Sequence, residues 1–179
     1  MLTVVAISGS RRDRSYTRKS LGIVLEAVGD EPDVETDCVN LAAADLPLYH
    51  PDRDEQGQSE ALTRRVREAE AVVIGSPVYH GSYSSTFRNF HDYCSKDEFR
   101  DTAVGLVATA GGGSYGATLE HMRSTVRGVH GHTVPEQVGI RNASSKYDGD
   151  DLTDDDTRRR LEELGAAVLA EARRLHPDA

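Results

Sequence analysis

Five times along its length the chain passes from a short run of β-branched and small apolar residues to a stretch whose apolar residues recur three or four positions apart. No other pattern limits the fold so strongly. A strand followed each time by a helix pairs in parallel with its neighbours, because a parallel return needs a crossover, and the crossover helices then cover both faces of the sheet. Strands are expected at Leu2–Ile7, Val34–Asn40, Ala71–Gly75, Thr102–Thr109 and Thr133–Ile140. The apolar stripes that alternate with them run through Leu21, Val24, Leu25 and Val28, through Leu62, Val66 and Ala69, and through Tyr83, Phe87, Phe90 and Cys94. Two more follow, at Leu119, Met122, Val126 and Val129, and at Leu161, Leu164, Val168, Ala172 and Leu175.

Right-handed crossovers leave few arrangements for such units, and the commonest is the flavodoxin-like three-layer sandwich, an α/β fold with its five-stranded parallel sheet in the order 2-1-3-4-5. At 179 residues the chain is expected to form a single domain of this kind. The order reverses between strands one and three, so a ligand should meet the loops that follow those two strands, with the loop after strand four beside them. The two long polar connections, Ala42–Gln58 and Arg141–Asp156, read as functional lids or as solvated excursions.

Composition narrows the function. A formal net charge of −9 argues against a nucleic-acid partner, which is held through clustered positive surface. Lysine occurs only at Lys19, Lys96 and Lys146 while acidic residues abound, which suggests a salt-adapted, halophilic surface or an acidic protein of a GC-rich genome. Cys38 and Cys94 are too few for a disulfide framework, no run is long and apolar enough to span a membrane, and the short start MLTVVAIS reads as a strand rather than a signal peptide. A cytoplasmic location is expected.

The three loops carry the chemistry. In SGSRRDRSYT, residues 8–17, Ser10, Arg12, Ser15 and Thr17 surround a glycine and open onto a helix start, where free amides and the positive end of the dipole favour an anion such as a phosphate. Arg11 and Arg14 are left solvated. In SPVYHGSYSSTFRN, Pro77 ends the strand, Gly81 allows close backbone approach, and Tyr79 and His80 offer flat surface suited to a planar heteroaromatic ring. In TAGGGSYGATLEHMR, three consecutive glycines are useful only where backbone lies against something or takes positive φ. Phosphate at the first loop and a ring system between the other two describe flavin mononucleotide, FMN.

With those residues in view, the chain resembles the NAD(P)H-dependent FMN reductase family. GSRRDRS matches the family's GSxRxxS loop, SPVYHGSYSSTFRN looks like its (S/T)P-x-Y-x-G-S-Y-S-G segment, and TAGGGSYGATLEHMR is similar to its (S/T)-x-GG stretch. The resemblance implies that Ser10, Arg12, Ser15 and Thr17 hold the FMN phosphate with the Tyr16 backbone alongside. It implies that Pro77, Val78, Tyr79 and His80 line one side of the isoalloxazine and that Ala110, Gly111, Gly112 and Gly113 approach the other. His80 stands where many members carry asparagine or lysine, Val78 where others carry glutamate, and Ser85 where a glycine usually opens the helix. The implied activity passes hydride from NADPH or NADH to FMN and then to flavin, quinone or a related small-molecule acceptor, in a homodimer or homotetramer, with no catalytic acid or base needed for the reductive half. Tyr79, His80 or Tyr115 would shape the nicotinamide stack or protonate the acceptor. The alternative is an FMN-binding electron-transfer protein that oxidises no nicotinamide.

Three other patterns are set aside. Gly111, Gly113, Gly116 and Glu136 imitate a dinucleotide fingerprint, but only one strand remains after them. Cys94 and Arg100 have a phosphatase-like C-x5-R spacing, yet the intervening residues hold no glycine, so Cys94 reads as a core thiol. His130 and His132 form a metal pair without a third ligand, and His91 and His121 read as helix-surface residues.

Overall fold

The computed structural model describes residues 1–54 and 56–178. Strands β1 (Leu2–Ser8), β2 (Val34–Asn40), β3 (Ala71–Pro77), β4 (Ala103–Thr109) and β5 (His132–Ile140) form one sheet in the order β2-β1-β3-β4-β5, with every neighbouring pair parallel. The order and the five strands are those expected; β3 runs two residues further than predicted, to Pro77.

Period-two alternation assigns the side chains to layers. Leu2, Val4 and Ala6 of β1 face helices α1 (Tyr16–Gly29) and α6 (Asp155–Leu175), which supply Leu21, Val24, Leu161, Leu164 and Val168. Val5 and Ile7 point the other way, toward α2 (Ser59–Arg67), α3 (Ser85–Asp92), a short α4 (Lys96–Phe99) and α5 (Gly116–Gly128). β3 and β4 are buried throughout and read as continuous apolar runs. The two outer strands differ. β2 exposes Glu35, Thr36 and Cys38, and Arg65 of α2 clasps Asp37; β5 exposes Pro135 and Glu136 beside a shift of register between Val104 and Leu106 of β4.

Three expectations need correction. The stripe from Tyr83 to Cys94 does not lie within one helix, because α3 spans only Ser85–Asp92; Tyr83 and Cys94 flank it, half-buried against the same core. His91 is not on the surface: it is 6% exposed, with the Phe87 ring 5.6 Å and the Phe99 ring 5.9 Å away. Phe99 belongs to α4, an element without a periodic signal of its own, and folding that turn back over α3 is what buries the imidazole. Finally, the Arg141–Asp156 connection is not a plain solvated loop. It makes a 3-10 turn at Ala143–Ser145 and a hairpin of β6 (Tyr147–Asp148) and β7 (Asp151–Leu152), which inserts Tyr147 and Leu152 into the core beside α1.

The Cys94–Arg100 pattern dissolves in the same place. Ser95 and Glu98 form a reciprocal cap on α4, so no amide cradle lies between the thiol and the guanidinium, and burial pushes the Cys94 thiol far above its ordinary range. Among the described residues no group of three or more metal-binding side chains occurs, and no helix is long and apolar enough to cross a membrane.

Candidate cofactor cleft

The loop after β1 is built around Gly9. Its amide donates to the Gly75 carbonyl of β3 (2.9 Å) and its carbonyl accepts from Ser84 Oγ (2.6 Å). A Cβ at this position would stand 2.8 Å from Phe87 Cβ and 3.2 Å from the Gly75 oxygen, so no side chain fits. Ser10 follows, buried, with its hydroxyl accepting from the Arg12 amide at 3.4 Å. Ser15 caps α1, taking the Arg18 amide at 3.1 Å, and leaves the amides of the first turn directed outward. Thr17, the second residue of α1, meets Thr109 at the end of β4, with the two hydroxyl oxygens 2.5 Å apart.

The loop after β3 continues the sheet for one residue, as the Val78 amide donates to the Thr109 carbonyl (2.8 Å). It then reverses in a two-residue turn. Tyr79 and Ser82 exchange backbone hydrogen bonds of 2.9 and 3.0 Å, while His80 (φ 51°) and Gly81 (φ 78°) occupy the left-handed region. Two positive φ values in succession favour asparagine followed by glycine. The geometry thus gives a backbone reason for the asparagine that the resemblance places at position 80.

The loop after β4 is tied down from β5. Ala110 donates to Ile140 (2.8 Å), Ala143 to Ala110 (3.0 Å), Asn142 to Gly111 (2.6 Å), and Arg141 Nε to the Gly112 carbonyl (2.9 Å). None of Gly111, Gly112 and Gly113 has positive φ, and a Cβ on Gly111 or Gly113 would meet nothing within 4 Å. Neither backbone conformation nor internal packing requires these glycines. The remaining reason for bare backbone is the approach of something from outside the chain.

The three loops meet in one cleft of about 150 Å³ at the switch between β1 and β3. Ser10, Arg12, Tyr16 and Thr17 line it from the first loop and α1; Pro77, Val78 and Tyr79 from the second loop; Ala110 and Gly111 from the third. Four predicted residues lie outside this lining. Ser15 is engaged in capping, His80 sits at the tip of its turn, and Gly112 and Gly113 continue the open edge. Tyr115 also stands aside, its ring lying flat on Gly139 of β5. Three lining residues went unpredicted. Thr109 is the hydroxyl that opens the TAGGG motif and was legible there; Ala143 and Ser144 arrive from the long connection after β5 and carry no local signal.

The donor set fits a phosphate monoester joined to a flat ring. Among the described residues no Asp or Glu lines the cleft and the Arg12 guanidinium has no hydrogen bond, while the hydroxyl-bearing Ser10, Thr17, Thr109 and Ser144 all belong to the lining. Ser8 Oγ, fully buried at the end of β1, has no partner either. Pockets that enclose a drug-sized ligand measure about 300–1,000 Å³, so a ligand seated here keeps one face open.

A family model described as NADPH-dependent FMN reductase matches residues 2–145. An NADPH azoreductase of Bacillus sp. (strain OY1-2) is 32% identical over 140 residues, covering 76% of this chain and 75% of that one. An FMN-dependent NADPH-azoreductase of Staphylococcus saprophyticus is 31% identical over 148 residues, covering 78% and 77%. Among solved structures, the flavoenzyme NAD(P)H:(acceptor) oxidoreductase of Paracoccus denitrificans superposes with a TM-score of 0.78 at 19% identity, over 97% of this chain and 98% of that one, and supports the fold.

Proposed function

The chain belongs to the NADPH-dependent FMN reductase family, and from that premise we propose how its residues hold the flavin and which acceptors they serve. The protein is an FMN-dependent NAD(P)H oxidoreductase. FMN, when bound, accepts a hydride from reduced nicotinamide and passes the electrons to a second small molecule. Ser10, Arg12 and Thr17 hold the phosphate, together with the Tyr16 amide at the start of α1. Ser15 contributes through the helix end it caps. Charge-assisted hydrogen bonds are worth about 1.5–3 kcal/mol each, so Arg12 carries the largest single share. Pro77, Val78 and Tyr79 border one side of the isoalloxazine, with His80 shaping the turn behind them; Ala110, Gly111, Gly112 and Gly113 border the other through bare backbone.

The observation that carries this reading is the meeting of three loops at the switch point with, among the described residues, an unpartnered arginine, four serine and threonine side chains, no carboxylate and a glycine face that no side chain fills. The open side supports a flat conjugated acceptor, an azo compound or a quinone, and the names of the relatives support NADPH as the donor. Residues 1–179 act as one flavin-binding unit in this reading. The free cysteines support a reducing cytoplasm, the charge of −9 supports a high-salt host, and exposed Leu48, Tyr49 and Tyr79 support pairing of copies into a homodimer or homotetramer.

A visible spectrum of the FMN-loaded protein, mixed anaerobically with NADPH and then with NADH, tests the assignment. Bleaching of the flavin band followed by recovery on adding a quinone or azo dye is expected. Persistent colour with both nicotinamides would overturn the reductase reading in favour of an electron carrier.

A further inference from the structure

The connection after β5 touches the cleft twice by different means. Its first half, Ile140–Ala143, fastens the glycine loop, and Ala143 and Ser144 stand in the cleft lining. Its second half crosses to α1. The Tyr147 ring lies 5.1 Å from the Tyr16 ring at 34°, and the Tyr147 hydroxyl meets Ser20 Oγ at 2.7 Å in a buried contact. Lys19 covers both rings, with Nζ 5.3 Å from the Tyr16 centroid and 5.7 Å from that of Tyr147. The same ammonium reaches the hairpin turn, donating to the Gly149 carbonyl (2.5 Å) and pairing with Asp150 (2.9 Å). Lys146 and Asp154 close the base of the hairpin at 2.8 Å, and the Thr153 amide donates to the Lys146 carbonyl (2.8 Å).

Of the residues in this second half and its partners on α1, Tyr16 alone among those described lines the cleft, so the hairpin acts on the site through that ring. We infer that Tyr147 is a positioning residue for FMN retention: the β6–β7 hairpin, clasped by Lys19, fixes the Tyr16 ring and the first turn of α1 and so slows escape of the flavin phosphate. The family match ends at residue 145, just before this strap begins. The physical grounds are threefold. An aromatic pair fixes ring orientation. A cation over both rings adds attraction that grows as the site loses water. The Tyr147 hydroxyl also meets Ser20 Oγ, which donates in turn to the Tyr16 carbonyl (2.8 Å) and ties the ring to the same turn of α1. Because the clasp ion pair has one fully exposed partner, salt should loosen it.

The inference rests on the FMN reading above, and the experiment separates the two. The rate of FMN release is followed by recovery of free-flavin fluorescence on dilution, for the wild type and for Tyr147→Ala, Tyr147→Phe and Lys19→Gln, alongside the thermal midpoint of each flavin-free protein. Release is expected to quicken about tenfold in Tyr147→Ala and about threefold in Lys19→Gln, to return within about twofold of wild type in Tyr147→Phe, and to depend less on salt in Lys19→Gln. The flavin-free midpoint of Lys19→Gln should stay at the wild-type value, which separates positioning from loss of fold. Wild-type release rates in both Tyr147→Ala and Lys19→Gln would overturn the strap while leaving the flavin site standing. Failure of the wild type to bind FMN would overturn both.

Discussion

Gly9 and Gly111 stand in two loops that border one cleft, and the chain needs them for opposite reasons. At Gly9 the protein's own atoms fill the space a side chain would take; at Gly111 no atom of the described residues, its own and its two neighbours' aside, comes within 4 Å of it. The first loop is finished by folding, with the Gly9 amide engaged by β3 and its carbonyl by Ser84, the cap of α3. The second is held only along its back, by β5 and the residues after it, and its front is left bare. A glycine required by the fold and one kept for a ligand look alike in a sequence, and the space around the missing Cβ tells them apart.

The contrast is broken or sharpened by four measurements. The largest effect is expected from Gly9→Ala, where the new methyl meets backbone as well as Phe87; overpacking of this kind costs about 3 kcal/mol, or about 6–12 °C in Tm for a chain this size. A wild-type midpoint would remove the argument for the first loop.

Acid comes next, acting through the same support. Burial between Phe87 and Phe99 lowers the His91 pKa from 6.5 to about 4, with Arg88 adding to the shift and Asp92 opposing it. The folded state therefore holds the imidazole neutral where the unfolded chain would bind a proton. Its contribution is complete above pH 6.5, is lost as the pH falls from 6.5 to about 4, and amounts to about 2–3 kcal/mol over that window. Denaturant titrations at stepped pH should show that slope, and His91→Gln should flatten most of it. Since Ser84, the cap of α3, holds the Gly9 carbonyl, the first loop should loosen before the second.

Arg12→Ala tests binding rather than folding. FMN affinity should fall about 10–100-fold, the equivalent of one charge-assisted hydrogen bond or slightly more, with the flavin-free Tm unchanged. Unaltered affinity would take the phosphate away from this loop. The smallest effect on stability belongs to Gly111→Ala, expected within about 0.5 kcal/mol of wild type because the methyl enters open space. Its FMN affinity should drop several-fold nonetheless, and a variant that binds as tightly as wild type would show that the bare backbone serves no ligand.

How much of this the sequence displayed follows from what periodicity can encode. The sheet was legible because each strand is a run of β-branched residues set off by turn residues, and the order followed from right-handed crossovers together with the commonness of that arrangement. Thr17, Arg12 and the glycine loop were legible as motifs. Ser15 was visible as a hydroxyl at a helix start, but its engagement with the Arg18 amide is a fact of local geometry. The β6–β7 hairpin escaped because two-residue strands are shorter than any period they might display. His91 was misjudged because its neighbours on α3 give no notice of Phe99, which arrives from an element of four residues. Ala143 and Ser144 are brought to the cleft by the bonds that fasten Ala143 to Ala110 and Asn142 to Gly111. Contacts made by unlike segments at long range leave no mark in either segment alone.

The outer strands of the sheet have a consequence for how copies of this chain meet. β2 presents Glu35 and an aspartate already clasped by Arg65, and β5 presents a proline, which has no amide to donate, next to a glutamate and an irregular register. Both margins resist the addition of a further strand from another molecule, the route by which open sheets grow into fibres. At high concentration the protein is thereby steered away from ribbon-like aggregation, and association is left to the helices and to the loops around the cleft.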